Sequence, residues 1–97
     1  MTSVMVFHEV DDIDHWLSSA KRSEVFGPLN ITVKTYTDPT RSNRVGLLLE
    51  VPDMGTFERL MESEAGAEAM KFDGVRSDTV QILVASPVKS SWGAPEV

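Results

Sequence analysis

The sequence predicts an α+β domain in which one four-stranded antiparallel sheet carries helices on a single face. Three observations lead there. Short segments rich in β-branched, aromatic and other apolar residues recur at 3–10, 31–37, 44–51 and 79–85. Stretches of helical periodicity separate the first segment from the second and the third from the fourth. A chain of 97 residues, 41% hydrophobic and 25% charged, suits one globular domain with a modest core.

Taken in order, SVMVFHEV (3–10) reads as a strand. Asp11 or Asp12 then supplies a helix N-cap, and Asp14 adds negative charge to the first turn, where the helix dipole favours it. Ile13, Trp16, Leu17 and Ala20 share one helical face, with Lys21 and Arg22 suited to the C-terminal end. Gly27 and Pro28 stop that helix. ITVKTYT (31–37) and RVGLLLEV (44–51), joined by a short polar turn, make a hairpin. Asp53 caps a second helical region through Met54, Phe57, Leu60 and Met61, with a kink expected near Glu64 to Gly66 and continuation through Ala65, Ala69 and Phe72. The small residues of AGAEAM suggest close approach of this helix to the sheet. Asp73-Gly74 ends it. TVQILVA (79–85) is the last strand. Residues 86–97, rich in Pro, Ser and Gly but carrying Trp92, read as a C-terminal tail to a domain spanning 1–85.

The order β-α-β-β-α-β, with right-handed crossovers, is the split βαβ or ferredoxin-like arrangement, strand order 4-1-3-2. Alternation divides the strand residues between two faces. One is apolar: Val4, Val6, Val10, Ile31, Val33, Val45, Leu47, Leu49, Val51, Val80, Ile82 and Val84. It should lie beneath the helices. The other carries Met5, Phe7, Glu9, Lys34, Tyr36, Gly46, Leu48, Glu50, Gln81 and Leu83. Met5, Phe7, Leu48 and Leu83 would lie exposed together there, as at an interface. Glu9, Arg44 and Tyr36 can be neighbours on that face, giving either a register-fixing ion pair between subunits or a solvated cross-strand pair. Glu50 has no evident partner in the sequence and is also assigned to the interface.

Composition narrows the function classes. A net charge of −6 repels phosphate backbones and anionic lipid, so neither nucleic acid nor membrane is an expected partner. No apolar run approaches 18 residues, and the N-terminus lacks a signal-peptide pattern. With no cysteine, disulfides and thiolate chemistry are ruled out, and the cytoplasm is the expected location. Glycine-rich phosphate loops, GxSxG, HExxH and EF-hand patterns do not occur.

The length, element order, long second helical segment (PDMGTFERLMESEAGAEAMKFDGV) and semi-apolar helix-free face resemble the dimeric α/β-barrel superfamily over residues 3–85. More narrowly, they resemble its small proteins of the antibiotic-biosynthesis-monooxygenase and cyclase type. The resemblance implies two protomers packed sheet to sheet into a dimeric α/β barrel. It also implies a small organic molecule held between each sheet and its helices. Members include cofactor-independent monooxygenases, cyclases, lactone isomerases, haem-degrading enzymes and proteins without known activity. No subfamily motif carries a catalytic residue across.

The densest cluster of chemistry is HEVDDIDH, residues 8–15. A metal site would need His8, His15 and a carboxylate to converge. His8 shares a strand face with Val4, Val6 and Val10, whereas His15 falls away from the apolar side of its helix and should point to solvent. No metal is expected. His8 is the one polar ring on an apolar face. Val45 and Thr35 or Thr37 should lie beside it, with Trp16, Phe57, Met61 and Phe72 above. It is either a core histidine satisfied by a hydroxyl or carbonyl, or the titratable group of an aromatic-lined pocket. Two classes therefore stay open, and whether the protein is an enzyme stays open with them. One is a cofactor-independent monooxygenase- or cyclase-type enzyme acting on a hydrophobic molecule, with His8 as acid/base. The other is a non-catalytic ligand-binding or assembly module. An enclosed polar cavity at His8 would favour the first, a filled core with His8 hydrogen-bonded to backbone the second.

Overall fold

The computed structural model describes residues 1–40 and 42–86. Arg41 and residues 87–97, with most of the predicted tail and Trp92, lie outside the described residues. The sheet is β1 (Thr2–Glu9), β2 (Thr32–Thr37), β3 (Arg44–Val51) and β4 (Gln81–Val84), in order β2-β3-β1-β4 with every pairing antiparallel. The helices are α1 (Ile13–Ser18), α2 (Lys21–Phe26), α3 (Met54–Glu62) and α4 (Glu64–Phe72). This is the ferredoxin-like arrangement the sequence predicts.

The first helical region differs from the single helix expected. Ser19 is extended (φ −71°, ψ 135°) and splits it into α1 and α2. Local hydroxyls compete with the helix ladder here: Ser18 Oγ donates to the His15 carbonyl, and Ser19 Oγ accepts from the Lys21 amide at 3.1 Å. Lys21 and Arg22 thus begin a helix instead of ending one. Leu17, assigned to the buried face, is 47% exposed, and Ala20 is exposed as well. Trp16 and Phe26 are the buried anchors of this region. Asp12 is the N-cap of α1, accepting from the His15 amide at 3.2 Å.

The break in the second helical region comes at Ser63, one residue before the expected kink. Its hydroxyl donates to the Leu60 carbonyl at 2.6 Å and accepts from the Gly66 amide at 3.1 Å, so one side chain closes α3 and caps α4. A Cβ on Gly66 would overlap the Leu60 carbonyl oxygen. The small residue in AGAEAM therefore serves the α3–α4 junction; the expected approach to the sheet is not its reason. Gly74, at φ +72°, ends α4 as anticipated. Its amide bonds the Lys71 carbonyl at 3.2 Å and the Val75 amide bonds Met70 at 2.9 Å, the paired bonds of a left-handed C-terminal cap.

The core joins Val4, Val6, Val10, Val45, Leu47, Leu49 and Val51 to Ile31, Trp16, Phe26 and Phe57. Ile82 and Val84 were expected in it but are 41% and 50% exposed, while Val33 and Val80 are half-buried. The reason is position: β4 is a four-residue edge strand paired only with Val4 to Phe7 of β1. Thr79, predicted to open this strand, instead ends a 3-10 turn over Ser77–Thr79. Among the described residues, no helix is long and apolar enough to cross a membrane.

Candidate functional site

His8 lies near the end of β1, opposite Val45 of β3, which in turn pairs with Thr37 of β2. The pleat turns its ring toward the helices, where it is 6% exposed and meets Trp16 edge-on at 5.8 Å between ring centroids. Both rings border a small, mostly apolar cavity of about 60 Å³ between sheet and helices, which Phe57 and Met61 also line. Four of the six predicted ligand-binding residues, His8, Trp16, Phe57 and Met61, thus converge. Thr35 does not: it pairs with Leu47 on the uncovered edge strand β2 and is exposed. Phe72 does not either. It is 53% exposed at the outer end of α4, against the His15 ring and 5.2 Å from the Lys21 ammonium.

Two charged residues that sequence reasoning missed line the same cavity. Arg22 Nη1 donates to Asp73 Oδ2 at 3.0 Å, with side chains 12% and 4% exposed. Arg22 also lies over the Trp16 ring at 4.3 Å, and its Nη2 donates to the Trp16 carbonyl at 2.6 Å, satisfying an acceptor in the last turn of α1. From sequence, Arg22 is a dipole partner at a helix end and Asp73 part of a helix stop. They are 51 residues apart, and no local signal couples them.

Among the described residues, two buried side-chain polar atoms lack a hydrogen-bond partner, His8 Nδ1 and Asp73 Oδ1. Both belong to residues on this cavity. Burial is the main reason the His8 imidazole is held below its ordinary value of 6.5; a backbone hydrogen bond at Glu9 opposes it, Arg22 adds to it, and Asp73 partly offsets it. The ring is therefore neutral at physiological pH, the form that can accept a proton. Burial also lowers Arg22, against the opposing influence of Asp73.

The rest of HEVDDIDH is occupied separately. Arg76 bridges Glu9 at 3.1 Å and Asp11 at 2.9 Å, so the ion pair on Glu9 comes from Arg76 and not from Arg44, its cross-strand neighbour. His15 does not simply point to solvent. Its Nε2 lies 2.7 Å from the Phe72 carbonyl at the C-terminus of α4.

On the helix-free face, Leu48, Met5 and Leu83 form one cross-strand row. Phe7 lies across Gly46, and Tyr36 pairs with the same glycine from β2. Met5, Tyr36 and Leu83 are exposed, as is Arg44, while Phe7, Glu9, Leu48 and Glu50 are half-buried. Glu50, which has no evident partner in the sequence, accepts from Ser3 Oγ at 2.7 and 2.9 Å.

No family model matches the sequence. No curated protein matches it either. Solved structures do match the fold. An antibiotic biosynthesis monooxygenase superposes with a TM-score of 0.62 at 14% identity, over 91% of this chain and 99% of that one. The Rv0793 protein from Mycobacterium tuberculosis gives 0.56 at 10% identity, over 94% and 99%. A structure from Deinococcus radiodurans, described as a candidate antibiotic biosynthesis monooxygenase, gives 0.54 at 9% identity, over 93% and 95%. Along most of its length, this chain has the ferredoxin-like fold of antibiotic biosynthesis monooxygenase structures.

Proposed function

We propose that the protein works as a homodimer, two copies meeting through the helix-free sheet face. Each copy binds a hydrophobic small molecule between sheet and helices, where His8 is the proton-transfer group of a cofactor-independent monooxygenase-type reaction. The observation that carries this reading is a buried imidazole with an unpartnered Nδ1, on a residue that lines a small apolar cavity. Buried polar atoms are nearly always paired, so an orphan on a cavity-lining residue fits a group reserved for a ligand. The fold shared with monooxygenase structures supports the same reading.

The chemistry needs enclosure and one base. His8 takes a proton from an acidic C–H of the substrate. The resulting carbanion supplies electrons to dioxygen and forms a hydroperoxide, which loses water to leave a carbonyl. In total, CH₂ and O₂ become C=O and H₂O, with all electrons drawn from the substrate. As it stands, the cavity holds only a few water molecules, so binding a larger molecule requires the helix layer to part. Its short pieces, jointed at Ser19 and Ser63, supply the hinges. The small volume is also what favours the second reading, a ligand-binding or assembly module without catalysis.

Dioxygen uptake with a hydroxyanthrone, a neutral aromatic bearing an acidic methylene and a phenolic hydroxyl, tests the catalytic part. Uptake should exceed the buffer rate and fall by about 100-fold or more in His8→Ala. Binding of the hydroxyanthrone without uptake would leave the module reading instead. Sedimentation tests the assembly: wild type should be a dimer at micromolar concentration and Leu48→Glu a folded monomer. A wild-type monomer would refute the interface.

A further inference from the structure

The cavity contains more polar chemistry than a base in an apolar pocket requires. Asp73 is 3% exposed, and Arg22 binds only one of its two carboxylate oxygens. The other, Oδ1, has no partner, and neither has His8 Nδ1. A carboxylate oxygen is an acceptor only, and an imidazole with its proton on Nε2 offers Nδ1 as a second acceptor. Among the described residues lining the cavity, the one cation, Arg22, is already neutralised by Asp73 and further engaged by Trp16.

We infer that Asp73, positioned by Arg22, is a specificity-determining residue that selects a neutral apolar ligand carrying a hydrogen-bond donor, a hydroxyl or N–H, and rejects carboxylates. This rests on the cavity being a ligand site, as proposed above. The unmet valences, on two residues that line the cavity, are acceptors, so a ligand group that reaches them is a donor. An anionic ligand would bring further acceptors against Asp73 Oδ1 and find no free cation to offset them. Leaving a buried carboxylate oxygen unpaired is costly, and a donor that reaches it recovers that cost on binding, whereas an isostere lacking the donor does not.

Pyrrole and furan test this directly, being planar five-membered rings of nearly equal size, one presenting N–H and the other a ring oxygen. Acetate serves as the anionic probe. Titrations of the full chain are followed by NMR at the Trp16 indole and at the His8 and Phe57 amides, with Phe7 and Tyr36 as reporters of the opposite sheet face. In wild type, pyrrole should bind at least about tenfold tighter than furan at the cavity reporters, and acetate should not bind there. In the double variant Arg22→Met/Asp73→Leu, which removes both charges together, the preference for pyrrole should vanish. Equal binding of pyrrole and furan to wild type would overturn the inference while leaving the cavity a ligand site. So would acetate binding there, or a preference that survives in the double variant. Cavity reporters that respond to no probe would overturn the inference together with the proposed ligand site. If the double variant does not fold, the wild-type ratio alone decides.

Discussion

Removing the Arg22 charge without its partner is the most informative perturbation of stability. In Arg22→Met the Asp73 carboxylate, 4% exposed at its side chain and 3.0 Å from the guanidinium, is left buried and uncompensated. Breaking such a pair from one side costs about 3–5 kcal/mol. The lower end applies because Arg22 keeps 12% of its side chain in solvent. The same change removes the bond to the Trp16 carbonyl and the stack on its ring, contributions of about 1 kcal/mol each. Against the roughly 5–15 kcal/mol that holds a domain folded, the single variant should be severely weakened. Asp73→Leu strands the guanidinium and should cost about 2–3 kcal/mol, since the Trp16 carbonyl remains as a partner. The double variant buries no lone charge and loses mainly the Trp16 contacts, so its cost should be about 2 kcal/mol. Urea melts of wild type, both singles and the double should therefore give a coupling of at least about 2 kcal/mol. It should change little between 0.05 and 0.5 M salt, because screening acts weakly on a buried pair. Singles that each cost less than about 1 kcal/mol, or costs that simply add, would refute the buried-pair reasoning and make this an ordinary surface contact.

Four further substitutions have defined outcomes. His8→Ala should cost no more than about 1 kcal/mol, because the lost ring contacts are offset by removal of an unpaired buried nitrogen. It should also flatten the acid limb of stability. Unfolded His8 takes up a proton near 6.5, but the folded ring does so only at lower pH, so wild-type stability falls as pH drops through that window and is unaffected above it. Melts from pH 4 to 8 check this, and identical acid limbs in wild type and variant would contradict it. His15→Ala should cost about 1 kcal/mol through loss of the Phe72 carbonyl bond, measurable by the same melts; no change would mean that bond is not formed in solution. Gly66→Ala should cost about 1–3 kcal/mol by forcing α4 away from the Leu60 carbonyl, whereas Gly27→Ala, where a Cβ meets nothing within 4 Å, should stay within about 0.5 kcal/mol.

The sequence alone determined the architecture, because its signals are local. Period-two alternation marked the four strands, Asp12 and Asp53 capped helices where expected, and Gly74 ended one by the left-handed backbone it adopts. His8, Trp16, Phe57 and Met61 could be assigned to one hollow because face and topology together fix where a strand residue meets helix residues. What tertiary structure decided was pairing between distant groups and coverage of each face. Thr35, Ile82 and Val84 had the right alternation but sit on edge strands, where no pattern says how far the helices reach. Arg22 was legible only as a charge near a helix end, and the serine hydroxyls that split α1 from α2 make it the start of a helix aimed at Trp16. Asp73 was legible only as a helix terminus. Its burial against Arg22 arises from two helices meeting over β1, a contact between residues 51 apart that no periodicity encodes.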